Sequence, residues 1–230
     1  MRTRHAARFA LVTAVLLLVG AAVAVSLTRA AGTPAGCDDI RAYQERYGEI
    51  ETLGGGEHRI AVLGDSYAAG DARSDRGARW TDALAQADPA LTVRLDAVPF
   101  TGFVNDGACG PQAFTDRIDR VAAVAGDALV IQGGLNDVAA DPDDLRASVR
   151  AVLDAAASVP RIVVVGPMDV PGRDGEAAVD ALLAAEAHAH GATYVSALDW
   201  HLPVGRDDIH LTAAGHAEYA ERIRDALSRP

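Results

Sequence analysis

A three-layer α/β domain built on a parallel sheet is the fold class this sequence predicts, on two observations. Short apolar runs of strand length stand at residues 59–63, 91–97, 128–132, 161–166 and 193–195. Between and after them lie helix-length segments with apolar side chains three or four apart, at 80–87, 145–157, 177–190 and 213–227. Strands alternating with helices need crossover connections, which make neighbouring strands parallel and lay helices on both sheet faces. Such sheets gather their chemistry at the carboxyl ends of the strands.

The chain has 230 residues, enough for one catalytic-sized domain behind a leader. Its start is a leader: Arg2, Arg4 and Arg8 precede an almost unbroken apolar run at 9–25, the charged and hydrophobic regions of a secretory signal. Small residues at Ala22 and Ala24, or at Thr28 and Ala30, suit signal cleavage. The run is also about long enough to cross a bilayer, so residues 1–30 are read as a signal peptide or an uncleaved amino-terminal anchor, with membrane attachment through 9–28 in the second case. Lipid attachment at Cys37 is disfavoured by Pro34. Both readings put the protein outside the cytoplasm, secreted or in the cell envelope.

Residues 31–58 are expected to form a linker and an outer helix. Ile40, Tyr43, Tyr47, Ile50 and Leu53 are spaced as one helical face over 38–53, with Gly54, Gly55 and Gly56 ending it. Residues 59–230 then form the main domain. Cys37 and Cys109 are the two cysteines, an even count in an exported chain, so a disulfide between them is expected.

No lysine is present. Without the four arginines of the first thirty residues, 17 basic side chains face 32 acidic ones, a formal charge of −15. A surface of that sign repels phosphate backbones, which argues against nucleic-acid binding.

Three segments carry residues suited to chemistry. The first strand runs into Gly64-Asp65-Ser66-Tyr67, which puts a serine hydroxyl where the chain leaves the sheet and helix amides point at a developing negative charge. Gly133-Gly134-Leu135-Asn136-Asp137 follows the third strand; Asn136 offers a side-chain N–H, and Gly134 lets backbone approach closely. Near the end stands Asp207-Asp208-Ile209-His210, where a carboxylate three residues before an imidazole can orient it and stabilise its protonated form. Singly, each also reads as a helix cap, a turn or a structural histidine. Asp207 and His210 with His216 lack a compact zinc pattern, so no metal is expected. The glycines near Gly64 match neither a P-loop nor a dinucleotide fingerprint.

Together the three segments resemble the blocks of the SGNH hydrolases, the GDSL-type esterase and lipase family, over residues 59–227. Tyr67 stands where the family's nickname has leucine. The resemblance implies a flavodoxin-like sheet of about five parallel strands and hydrolysis of acyl esters without metal or organic cofactor. It implies Ser66 as nucleophile, His210 as base and Asp207 as the carboxylate behind it, with Asp208 the rival. It also implies an oxyanion hole from the Ser66 and Gly102 amides and the Asn136 side chain; Gly107 and Gly110 compete with Gly102. An acyltransferase or polysaccharide deacetylase on the same residues, or a non-catalytic cell-envelope module, are the competing readings. Small-molecule esters, lipids and acylated glycans are all open as substrates. Phe100, Phe103, Trp80, Trp200 and His201 are candidates for the cleft, the core or the surface, and a monomer is the default assembly.

Overall fold

The computed structural model describes residues 36–70 and 78–228. The leader at 1–30 and the beginning of the linker lie outside the described residues. Among the described residues, no helix is long and apolar enough to cross a membrane.

The chain opens with α1 (Cys37–Tyr47) and β1 (Glu51–Gly54), followed by β2 (His58–Gly64), the single-turn α2 (Ser66–Ala69), α3 (Trp80–Ala87) and β3 (Leu91–Ala97). Next come α4 (Phe114–Ala122), β4 (Ala128–Gln132), a 3-10 turn (Leu135–Asp137), α5 (Pro142–Ala155), β5 (Ile162–Val165), α6 (Glu176–Ala189) and β6 (Thr193–Val195). A second 3-10 turn (Leu198–Trp200) and α7 (Ala213–Ser228) complete the fold. The sheet order is β1-β3-β2-β4-β5-β6. The five strands expected from sequence, β2 to β6, are parallel throughout.

The sixth strand corrects the sequence reading. The expected helix over 38–53 stops at Tyr47, where Gly48 at φ 80° turns the chain and its N–H closes on the Gln44 carbonyl. Residues Glu51–Gly54 then run antiparallel to β3, pairing Glu51 with Leu95 and Leu53 with Val93. Ile50 and Leu53 therefore belong to the turn and the edge strand, and their helical spacing was a coincidence across a glycine. Helix α4 is the other element that the apolar pattern did not announce.

Side chains alternate between the two faces of the sheet. Ile60, Val62 and Val130 face Trp80 and Leu84 of α3 and Tyr219 and Ile223 of α7. Ala61, Leu63, Leu129 and Ile131 face Phe114 and Ile118 of α4, Val149 of α5 and Leu183 of α6. Burial on both faces is why these strands read as unbroken apolar runs.

In the sheet register Gly64 lies level with Ala97 and Gln132, and Gln132 with Val165. The loops that carry Ser66, Gly102 and Asn136 therefore leave one edge at one height.

The expected disulfide is present. Cys37 and Cys109 are bonded with Cα atoms 5.2 Å apart, which fastens the start of α1 to the loop after β3. A buried polar knot holds the same corner: Arg79 pairs with Glu51 at 3.0 Å, donates to the Tyr43 hydroxyl and pairs with Asp82.

Candidate active site

Ser66 is the first residue of α2, directly after β2. Asp65 caps this turn by accepting the Tyr67 N–H at 2.9 Å. Asp65 is fully buried, and burial pushes its carboxyl up to about 6, against hydrogen bonds from the Tyr67 amide and Gln132 that pull it down. Gly64 is fixed by crowding, because a Cβ there would stand 2.4 Å from the Ala68 methyl.

His210 reaches this turn from the loop after β6. Its Nε2 lies 3.2 Å from Ser66 Oγ, and its Nδ1 lies 2.6 Å from Asp207 Oδ2. The other Asp207 oxygen accepts the backbone N–H groups of Ile209 and His210 at 3.2 and 3.1 Å. Desolvation works against the Asp207 carboxylate, but the hydrogen bonds from His210 and Ile209 outweigh it and hold the acid down at about 2.

Asp208, the rival acid, serves through its backbone. It adopts φ 56° and offers its carbonyl to the Gly172 N–H at 3.0 Å, while Ile209 packs on Gly172. This left-handed residue turns the chain between Asp207 and His210.

Asn136 sits in the 3-10 turn after β4, entered through Gly134 at φ 108°. A Cβ on Gly134 would also press within 2.9 Å of Val179. One Asn136 amide hydrogen is donated to the Thr101 carbonyl at 2.9 Å. Asp137 is buried and gathers the loop after β3, accepting the amides of Phe103 at 2.8 Å, Val104 at 3.0 Å and Asn105 at 3.1 Å. Burial raises its carboxyl despite those three hydrogen bonds.

Gly102 lies against this carboxylate, and a Cβ there would be 2.2 Å from Asp137 Oδ2. Its own N–H donates to the Asn105 carbonyl at 2.9 Å. The structure thus brings Ser66, His210, Asp207 and Asn136 to one edge, and gives the Gly102 amide a partner within its own loop.

Trp80 and Phe103 belong to the core, the latter with its ring 4.9 Å from Phe114. Trp200 is half-buried against Tyr219, with the Arg222 guanidinium over its ring. His201 and Phe100 are exposed, and both have positive φ. His216 is buried and its Nδ1 accepts the Trp80 N–H at 3.4 Å, a structural engagement.

Two contributors had no signature in the sequence. The Tyr67 hydroxyl donates to the Ile209 carbonyl, and Gln132 donates to Asp65 at 3.0 Å. Both join residues far apart in the chain.

A serine at a strand-to-helix turn, an imidazole within hydrogen-bond reach of its hydroxyl and a carboxylate behind the imidazole form an arrangement that is chemically suited to serine-nucleophile hydrolysis. Residues 62–218 match the GDSL-like lipase/acylhydrolase family, and the chain belongs to that family of ester-hydrolysing enzymes, the SGNH hydrolases. No curated protein matches the chain.

Among solved structures, a carbohydrate acetylesterase from Sinorhizobium meliloti superposes with a TM-score of 0.64 at 17% identity, covering 75% of this chain and 99% of that one. The aryl esterase of M. smegmatis gives 0.61 at 20% identity, covering 73% and 99%. A member of the lipolytic G-D-S-L family from Veillonella parvula gives 0.59 at 15% identity, covering 74% and 98%. At these identities the likeness is one of fold.

Proposed function

We propose that the protein is an exported serine esterase that cleaves carboxylic esters through a Ser66, His210 and Asp207 triad. The observation that carries this reading is the unbroken relay from Ser66 Oγ to His210 Nε2 at 3.2 Å and from His210 Nδ1 to Asp207 Oδ2 at 2.6 Å. In the first half-reaction Ser66 Oγ attacks the acyl carbon while His210 Nε2 takes the hydroxyl proton. The imidazolium then returns that proton to the departing alkoxide, leaving an acyl-serine. Water repeats the sequence and frees the acid. Asp207, its charge secured by three hydrogen bonds, keeps the Nδ1 tautomer and stabilises the transient imidazolium.

The oxyanion is held by the Ser66 amide and by the second Asn136 amide hydrogen, whose direction is set by the bond of the first to Thr101. The Gly102 amide, the third donor that the family resemblance implies, is engaged by the Asn105 carbonyl at 2.9 Å.

Export is supported by the leader composition and by the Cys37–Cys109 disulfide. The substrate class is an acyl ester. The carbohydrate acetylesterase and aryl esterase among the structural neighbours make acetylated carbohydrates and aryl esters the first candidates.

The test is hydrolysis of a chromogenic ester series from acetyl to long acyl chains by protein lacking residues 1–30, with Ser66→Ala alongside. Turnover abolished in the variant supports the reading. Turnover that survives Ser66→Ala, or a folded wild type inert on every ester, defeats it.

A further inference from the structure

We propose that Arg117 is a positioning residue for the oxyanion side of the site, acting through Thr101 on Asn136; this rests on the esterase reading above. Arg117 is on α4, with its side chain wholly excluded from solvent. A guanidinium has five N–H donors in a fixed planar fork, and here every one has an acceptor. Nε donates to the Gln112 carbonyl at 2.9 Å. Nη1 donates to the Asp96 side chain at 2.8 Å and to the Asp96 carbonyl at 3.3 Å. Nη2 donates to the Gly64 carbonyl at 3.2 Å and to Thr101 Oγ1 at 2.8 Å.

These acceptors are the parts that the site must hold in register. Gly64 is two residues before Ser66. Asp96 is near the end of β3, and its second carboxylate oxygen is taken by Arg120 at 2.7 Å. Thr101 precedes Gly102, and its carbonyl accepts the Asn136 amide. One rigid plane therefore spans the nucleophile strand, the neighbouring strand and the loop on which Asn136 is hung. Thr101 is locked from both sides, since its hydroxyl also donates to the Val98 carbonyl at 2.7 Å.

A buried charge of this kind is a poor source of stability compared with apolar packing. A fork that fixes three chain segments is of more use in setting where the Asn136 N–H points. Lysine offers a single point of attachment and could keep Asp96 while losing Gly64 and Thr101.

The test is a double-mutant cycle on ester hydrolysis. Arg117→Lys and Thr101→Val are each made in the wild type and in Asn136→Ala, with Thr101→Ser as the conservative control. In the wild-type background each of the first two lowers kcat by roughly 10- to 100-fold, the size of effect expected from a small misplacement of a reacting group, while KM changes little. In the Asn136→Ala background Thr101→Val costs less than about threefold, because the group its hydroxyl positions is gone, and Arg117→Lys costs clearly less than in the wild type, keeping only the share that comes through Gly64. Thr101→Ser keeps near-wild-type kcat.

Equal losses in the two backgrounds, or Thr101→Ser as damaging as Thr101→Val, would overturn the inference. Should Arg117→Lys not fold, the Thr101 pair decides the matter alone. Ser66→Ala separates the two levels: if it keeps wild-type turnover the esterase reading fails, and if it is inactive while the cycle is additive, only the role of Arg117 fails.

Discussion

The Tyr67 phenolic O–H donates to the backbone carbonyl of Ile209 at 2.5 Å. The residue after Ser66 thereby grips the residue before His210, and its ring stands edge-on to the His210 imidazole with centroids 6.3 Å apart. A leucine at this position, as in the family's nickname, could fill the space without making the bond. Tyr67→Phe removes the hydroxyl alone, and a lost hydrogen bond of this type costs about 0.5–1.5 kcal/mol. The variant is expected to unfold at lower urea and to show reduced kcat with KM nearly unchanged. Equal kcat in the two proteins would make the bond a matter of stability only.

Asp207 and Asp208 are predicted to part company. Asp207→Asn removes the carboxylate that fixes the imidazole and is expected to lower kcat by roughly 10²- to 10⁴-fold. Asp208→Asn should leave turnover close to wild type, since the Asp208 side chain has no part in the relay and asparagine tolerates its φ of 56°. Asp208→Val, β-branched at a left-handed position, should lower the melting temperature measurably. Comparable kcat losses for the two asparagine variants would reassign the carboxylate.

On the proposed mechanism Asn136→Ala removes one oxyanion donor, and it is expected to lower kcat by roughly 10² to 10³. Turnover at the wild-type level in this variant would exclude Asn136 from the oxyanion hole.

Two aspartates beside the site bend stability with pH in opposite directions. Asp65 has a folded-state pKa of about 6, above its unfolded value of about 4. Its ionisation therefore disfavours the folded state fully above about pH 6, and the penalty is relieved as pH falls through 6 towards 4. Asparagine can accept the same two hydrogen bonds without the charge. Asp65→Asn should thus gain on the wild type as pH rises from 4 to 6, by up to roughly 3 kcal/mol, since each tenfold change in proton affinity between the two states is worth about 1.4 kcal/mol. Asp207, held at about 2, works the other way: its contribution is present above about pH 4 and is lost as pH falls towards 2. Urea titrations of wild type and Asp65→Asn across pH 4–8 check the first of these. A difference between them that is flat with pH would show that Asp65 does not titrate in that window.

Opening the disulfide should cost more than any of these. Its cysteines lie 72 residues apart in the chain, and a loop of that length corresponds to roughly 4 kcal/mol of lost constraint on the unfolded state. Thermal melts with and without reductant, or of Cys37→Ser, measure it. An unchanged melting temperature would mean that the Arg79, Glu51 and Tyr43 knot suffices to hold the corner.

The parts of the fold that were legible in the sequence are those whose burial is apolar. β3, β4 and β6 begin and end where their apolar runs do, and β2 and β5 differ from theirs by one residue at each end. β1 was hidden because its one buried residue is Glu51, sheltered by ionic contact with Arg79, so no apolar alternation marks it. α4 was hidden in a related way: Phe114, Arg117, Ile118 and Val121 form its buried face, and an arginine in that stripe reads as a surface residue. The short blocks around Ser66, Asn136 and His210 stand out in the sequence because their residue types are suited to acyl chemistry, and the structure brings them to one edge of the sheet. The engagement of the Gly102 amide by Asn105, and the Tyr67 to Ile209 bond, depend on how distant loops settle and leave no local trace.

The corner fastened by Cys37 and Cys109 has a practical side. Gly36 lies beside the Phe100 ring, which a Cβ on that glycine would approach to 3.8 Å, so the described chain enters on the rim from which Ser66 emerges. It leaves at the end of α7, where Arg161 binds the Ala226 and Leu227 carbonyls near the opposite, amino edge of the sheet. A fusion partner joined directly at residue 36 would therefore start on the rim that carries Ser66. A handle following α7 starts from the opposite edge of the sheet, and is the better choice for immobilising the enzyme with the Ser66 rim clear.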